Sequence, residues 1–261
     1  MTLLKHELRQ NRIPLLIWTA AISFMLGICV IIYPEMSSQM GDISEMFADM
    51  GSFSAAFGMD QINFGEFSGY FAVECGNVLG MGSAFFAAII AISALAKEEK
   101  EHTAEFLLAH PISRRKVVTE KFAAVILQLI ILNATVIGVT TASITIISEE
   151  ISLKTIALLF LAYFLLQVEI AGITFGISAF LKNGGLGIGL GLTILFYFMN
   201  ILANLTEDAK FLKYITPFGY ADGTDIITNG SIKSEYLVIG MILIIVGVTA
   251  AYIKYCKKDI A

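Results

Sequence analysis

Charged residues are scarce in this sequence. Asp, Glu, Lys and Arg together make up 15% of the 261 residues, whereas 57% are hydrophobic and the mean hydropathy is +0.78. Soluble domains average about 25% charged residues. A soluble fold of this length has too little interior to hide so much apolar surface. The composition therefore excludes a soluble globular protein and predicts that lipid surrounds most of the chain.

Several motifs are missing as well. The net charge of −5 provides no basic surface for phosphates, which excludes nucleic acid as the main partner. There is no G-x-x-x-x-G-K-[ST] phosphate loop, no CxxC pair and no HExxH motif, so the chain is predicted to hold no ATP, metal or other cofactor and not to be an enzyme. The three cysteines are expected to act as small apolar groups; they are Cys29, Cys75 and Cys256. The three histidines are too scattered for a catalytic or metal site.

Long apolar runs dominate what is present. Six of them reach about 20 residues, the length that spans a bilayer as a helix. They cover residues 13–33, 71–96, 117–147, 155–181, 186–205 and 236–255. The first run exceeds the apolar core of a signal peptide, about 7–15 residues, so it is expected to stay as a span. The sequence predicts an all-α membrane protein with one transmembrane domain, residues 1–261, of six helices.

Lys and Arg are distributed unevenly between the two sides of these spans. With six spans both termini share a side, which holds 13 of these residues, and the opposite side holds 4. Because positive loops stay in the cytoplasm, both termini are predicted to be cytoplasmic, in a multi-pass cell-membrane protein. The external loop, residues 34–70, has six acids and no Lys or Arg. It is rich in Met and Phe, which favours short amphipathic helices that pack on the spans; a surface that adapts to apolar or amphipathic ligands is the alternative.

The N-terminal stretch, residues 2–12, is basic and amphipathic. Leu3, Leu4 and Leu8 recur near helical spacing, and the basic residues are offset from them. Such a stretch predicts a helix that lies in the membrane interface. The alternative is a positive flank that only sets the topology.

The longest segment between spans on the cytoplasmic side is residues 97–121. It is expected to be helical from about residue 98 to residue 110 and to stop at Pro111. Glu98, Glu101 and Glu105 would then share one stripe with His102 beside them, and an apolar stripe would lie elsewhere on the helix. The apolar stripe would pack on the membrane domain, and the acidic stripe would face a cytoplasmic partner. A solvated amphipathic loop is the alternative.

The order of residues in this segment resembles the cytoplasmic segment of type-2 ABC exporter permeases. That family typically has Glu, Gly-Thr, a further Glu, two Leu and then Pro-Val/Ile-Ser-Arg between the second and third spans. The order and the position match here, except that His102 replaces the usual Gly. The matching segment contains Glu98, Glu101, His102, Thr103, Glu105, Phe106, Leu107, Leu108, Pro111, Ile112, Ser113 and Arg114. The N-terminal helix, the six spans and Pro217-Phe218 before the last span also look like the family.

This resemblance implies a function for the segment and partners for the chain. In the family the segment is a coupling helix that docks on a separate ABC ATPase subunit, which binds ATP and Mg. Two permease chains, identical or different, work with two ATPase chains. The resemblance therefore implies a permease subunit of an ATP-driven exporter, moving an apolar or amphipathic substrate.

Glu169 supports a competing hypothesis. An ionisable residue near the middle of a span is costly and should face protein or water. It would be the ion site of a secondary transporter, or it would line a translocation route with Gln128, Asn133 and Asn200. An interhelical hydrogen bond is the structural alternative.

Overall fold

The computed structural model describes residues 2–37, 51–56, 66–101, 112–182 and 184–258. Within these ranges the regular structure is entirely helical. The α-helices are α1 (Thr2–Gln10), α2 (Arg12–Ser37), α3 (Ser52–Ala56), α4 (Phe67–Ser93), α5 (Lys97–Lys100), α6 (Arg114–Ile147), α7 (Leu153–Ser178), α8 (Leu186–Leu205), α9 (Gly223–Asn229) and α10 (Ser234–Lys257). Two 3₁₀ turns, Glu207–Tyr214 and Pro217–Gly219, precede α9.

Six of these helices are long and apolar enough to cross a membrane: α2, α4, α6, α7, α8 and α10. This confirms the predicted all-α fold with six spans. The helix ends differ from the apolar runs by up to four residues, and capping side chains set the starts of α6 and α7. For example, α6 begins at Arg114 rather than at residue 117, since the Ser113 hydroxyl accepts a hydrogen bond from Lys116 N at 3.3 Å.

The core of the bundle forms around α4 and α7. In each of them 61% of the most apolar window is buried, compared with 11% in α10. α7 packs against both α4 and α10, and α2 packs along α6. The crossing of α7 and α10 is close: a Cβ on Gly176 would lie 2.6 Å from the carbonyl oxygen of Gly247. Small residues at this crossing allow the two backbones to meet, as is common between membrane helices.

A π-helical segment, Cys75–Met81, interrupts α4. Gly80 faces the ring of Tyr163 on α7, and a Cβ there would lie 3.0 Å from Tyr163 Cε1. The Tyr163 ring, 1% exposed, fills the space beside the widened turn. Single π-helical turns of this kind are frequent near functional sites. The apolar run itself gives no sign of the interruption.

Charged residues gather at both ends of the helix bundle. The terminal end holds Glu7, Lys121 and Lys258, close to both chain termini. The distal end holds Lys213, Asp225 and Lys233, which form ion pairs. Most of the Met- and Phe-rich loop between α2 and α4 lies outside the described residues.

Candidate functional site

Lys121 is the centre of an ion-pair cluster at the terminal end. It lies in the second turn of α6 and is 1% exposed. Its Nζ donates to Glu7 Oε1 at 3.0 Å, to the Ala94 carbonyl oxygen at 2.6 Å, and to Glu98 Oε1. A buried ammonium requires opposite charge and hydrogen-bond acceptors. Lys121 therefore joins α1, the region after α4, and α5 to the start of the third span.

α1 is attached to α6 by a second contact. The backbone N–H groups of Leu3 and Leu4 both donate to Glu120 Oε2 at 3.1 Å. The first N–H groups of a helix have no partner within the helix, so a carboxylate there is favourable. The N-terminal helix is thus held against the third span. Its predicted location in the membrane interface stays a prediction.

The C-terminal end of the described chain reaches the same place. Lys258 Nζ lies 2.6 Å from Glu99 Oε1, as a salt bridge without aligned hydrogen-bond geometry, and donates to the Leu181 carbonyl oxygen at 2.9 Å. Arg114 Nη1 donates to the carbonyl oxygen of Tyr255 at 3.4 Å and to that of Lys258. Two consecutive acids of α5, Glu98 and Glu99, are therefore held by cations of different helices.

The middle of the predicted coupling helix lies outside the described residues. The candidates in it are His102, Thr103, Glu105, Phe106, Leu107, Leu108 and Pro111. The described flanks are α5 before it and Ser113 and Arg114 after it. Glu98 faces Lys121, whereas Glu101 and Ser113 are exposed. That Glu98 and Glu101 share one stripe facing a partner therefore stays a prediction. Glu98 is already paired with Lys121 of the same chain.

Glu169 has its partner outside the spans. It is 2% exposed and accepts a hydrogen bond from the Tyr220 hydroxyl at 2.8 Å. It also lies against Gly240 of α10, where there is no room for a Cβ. No described Lys, Arg or His side chain is within 4 Å of its carboxylate. The donor is a phenol in the turn before α9, whereas the structural alternative from the sequence was a hydrogen bond to another helix.

The other polar residues of the spans lie at separate places. Asn133 and Gln167 form a reciprocal amide pair between α6 and α7, with distances of 2.6 Å and 3.2 Å. Gln128 lines a cavity at the terminal end, and Asn200 lines a small one with Tyr163. The structure therefore does not bring Glu169, Gln128, Asn133 and Asn200 together, and their role in translocation stays a prediction.

The sequence did not predict the ion-pair cluster of Lys121 or the hydrogen bond from Tyr220 to Glu169. Lys121 was visible only as a basic residue near the start of an apolar run, although a Lys in such a run requires a counter-ion. Its partners Glu7 and Glu98 are distant in sequence, and several acids compete for the role. Tyr220 gave no signal, because Tyr commonly lies near membrane interfaces without a specific partner.

Comparison with known proteins identifies the family. The family model described as ABC-2 family transporter protein matches residues 1–260, almost the whole chain. Comparison with curated proteins gives no match. The matched region includes all six spans and both flanks of the segment between the second and third spans. Since the match covers far more than half of the chain, this protein belongs to the ABC-2 transporter family and is an ABC permease subunit of the membrane.

Proposed function

We propose that this chain is the membrane-spanning subunit of an ATP-driven exporter and works with a separate ABC ATPase. The observation that carries the proposal is the family match over residues 1–260, in a chain without a phosphate-binding loop. ATP and Mg would bind to the partner ATPase. A second permease chain, identical or different, would complete the transporter. The terminal end would face the cytoplasm, in agreement with the excess of Lys and Arg there.

The segment at residues 102–111 would receive the movement of the ATPase. Its two flanks are fixed to several helices at once: α5 through Glu98 and Glu99, and the start of α6 through Lys121 and Arg114. A displacement of the segment would therefore act on the N-terminal helix, the third span and the end of the sixth span together. This arrangement supports coupling, since packed elements joined by ion pairs move as units.

The ion-coupled alternative is not favoured. The family is one of ABC transporters, and Glu169 has its carboxylate bonded to Tyr220. The cargo is proposed to be apolar or amphipathic, and export is the proposed direction.

Capture of the partner tests the proposal. The full chain with a C-terminal tag is purified in mild detergent from its native membrane, and co-purifying proteins are identified by mass spectrometry. We expect a soluble ATPase with a phosphate loop, and we expect Glu105→Arg and Leu107→Asp to reduce its recovery about tenfold or more by placing wrong charges at the contact. Lys182→Gln is the control, because Lys182 is exposed and lies in another loop. A chain that purifies without an ATPase and moves solute without ATP would overturn the proposal.

A further inference from the structure

The terminal end contains a cavity that none of the interactions described so far fills. Its volume is about 550 Å³, and residues of α1, α2, α4, α6 and α8 line it. Pockets for small molecules usually measure about 300–1,000 Å³. Its rim includes Pro14 at the start of α2 and Leu186 at the start of α8, both exposed. The cavity therefore has the size and the access of a ligand site.

Two of the lysines on the wall of this cavity have no carboxylate partner among the described residues. Lys121 is already paired with Glu7 and Glu98. Lys97 and Lys100 also line the cavity, and no carboxylate of the described residues lies within 4 Å of either ammonium. Glu101 is the remaining acid on the wall. Lys97 and Lys100, which have no carboxylate partner among the described residues, provide two ammonium groups that an anionic group of a ligand can contact.

The wall of the cavity also carries apolar side chains and a buried amide. Ile89, Ile90 and Val125 line it together with Gln128, which is 1% exposed. Gln128 Nε2 donates to the Ala124 carbonyl oxygen at 3.0 Å, whereas Oε1 has no donor among the described residues. A buried carbonyl oxygen without a donor is rare in proteins. A ligand in the cavity that carries an N–H or an O–H group would supply the missing donor.

We propose that this cavity binds a single-chain anionic amphipath with a hydrogen-bond donor beside its alkyl chain. The anionic head lies between Lys97 and Lys100, the donor bonds to Gln128 Oε1, and the chain packs on the apolar wall. Gln128 lies two turns of α6 beyond Lys121, about 10 Å, and the flexible lysine side chains span part of this distance. As a statement about cargo the inference rests on the proposed function, but the binding itself does not require an ATPase.

The cavity is also joined to α5 and to the start of α6, which flank residues 102–111. Lys97 and Lys100 belong to α5, which is joined to α6 through Glu98 and Lys121. A ligand held by α5 and by Gln128 of α6 bridges the same two elements. Its binding therefore favours the relative position of α5 and α6 to which it binds more tightly. The shift in population is set by the ratio of its affinities for the two positions.

Two matched probes test the site. N-dodecanoylglycine and N-dodecanoylsarcosine share the carboxylate and the chain, and they differ in the amide hydrogen, which is a methyl group in the second. Each is titrated below its micellar concentration into the full chain in phosphatidylcholine nanodiscs. Trp18, the one tryptophan in the chain, lies one turn beyond Pro14 and reports binding by fluorescence. We expect saturable binding of both and about fivefold tighter binding of the glycine probe, the effect of one hydrogen bond.

Variants assign the contacts. Joint substitution Lys97→Gln and Lys100→Gln should weaken both probes about tenfold. Gln128→Met should abolish the preference for the glycine probe and leave the sarcosine probe within about twofold. Lys182→Gln should change neither probe. Absence of saturable binding, equal affinities for the two probes in the unmodified chain, or a preference that survives Gln128→Met would each overturn the site.

Two further arms separate the explanations. Phosphatidylglycerol in the nanodiscs should leave the affinity of the glycine probe unchanged, whereas displacement by this two-chain anionic lipid would overturn the single-chain assignment. Loss of the probe signal in a chain that still captures an ATPase overturns the site and leaves the proposed function standing. Probe binding by a chain for which the capture experiment finds no ATPase supports the site and overturns its role as a cargo site.

Discussion

At the terminal end, Lys121 lies between two carboxylates and is 1% exposed, whereas at the distal end Asp225 lies between two lysines and remains partly open to solvent. Lys213 Nζ and Lys233 Nζ are 3.3 Å and 3.1 Å from Asp225 Oδ2, and the Lys233 side chain is 44% exposed. The distal cluster contains a fourth charge, since Lys213 Nζ also lies 3.9 Å from Asp222 Oδ2. Removing a partner from the buried Lys121 cluster leaves an unpaired charge that water cannot solvate. Removing one from the Asp225 cluster leaves a charge that water can reach.

Between the two ends, the polar pairs described above are hydrogen bonds rather than ion pairs. Glu169 is bonded to a phenol, and Asn133 to an amide. Neutral partners of this kind fix the register of neighbouring helices with directional bonds. The molecule thus has charged clusters at its ends and neutral pairs inside, and each class should respond differently to substitution.

The largest effect is expected at Lys121. Lys121→Met leaves Glu7 and Glu98 close together without their cation, and removing one partner of a buried ion pair costs about 3–5 kcal/mol. We expect a large drop in thermal stability in detergent and in the fraction of monodisperse protein. Lys116→Met is the matched control, since the Lys116 side chain is 57% exposed in its pair with Glu120, and it should cost less than about 1 kcal/mol.

A rescue variant makes this prediction stricter. Adding Glu7→Gln and Glu98→Gln to Lys121→Met removes the unpaired charges, so most of the stability should return. Equal stability of Lys121→Met and the Lys116→Met control would contradict the buried ion-pair cluster.

The intermediate effect is expected at Tyr220. Tyr220→Phe removes the only described donor to the buried Glu169 carboxylate, which costs about 1–3 kcal/mol. The chain offers a matched control, since the exposed Tyr214 hydroxyl donates to Glu235 Oε2 at 3.5 Å. Tyr214→Phe should therefore have little effect in the same melting experiment. Equal losses in the two variants would show that burial does not distinguish these phenol–carboxylate pairs.

The smallest effect is expected at Asp225 and depends on pH. Burial alone would raise the pKa of Asp225, but Lys213 and Lys233 together lower it below the ordinary value of 3.8. A carboxyl with a lowered pKa in the folded state stabilises the fold above its unfolded pKa and loses this contribution as the pH falls through the folded one. At pH 7 Asp225→Asn should cost less than about 1 kcal/mol, because the cluster is partly exposed.

The measurement compares melting temperatures of the unmodified chain and Asp225→Asn from pH 7 downward. The difference should stay constant to about pH 5 and shrink only below about pH 4, where Asp protonates in the unfolded chain. A difference that disappears near neutral pH would contradict the lowered pKa of Asp225.

The sequence predicted the number and kind of elements because apolar length is a local property. The run at residues 186–205 coincides with α8, and the run at residues 155–181 overlaps α7, Leu153–Ser178. The π-helical segment Cys75–Met81 was not predicted, because the length of an apolar run does not specify the hydrogen-bond pattern within it.

The candidate site was harder to predict because its contacts are distant in sequence. Lys121 and Glu7 are 114 positions apart, and Glu169 and Tyr220 are 51 apart. A single sequence identifies a residue that requires a partner, but not the rotation and register that select it. The sequence therefore offered Gln128 as a residue of a translocation route but gave no sign of the cavity that it lines at the terminal end.

The length of α6 has a mechanical consequence. With 34 residues it is about 51 Å long, whereas the hydrocarbon core of a bilayer is about 30 Å thick. The helix must therefore project from the core, tilt within it, or both. Glu7, Glu98 and the Lys258 carbonyl are bonded to the start of this helix, at Lys121 and Arg114. A force on these groups therefore tends to rotate the whole helix. A rotation of about 10° around the midpoint of this rod would move its two ends about 4 Å in opposite directions.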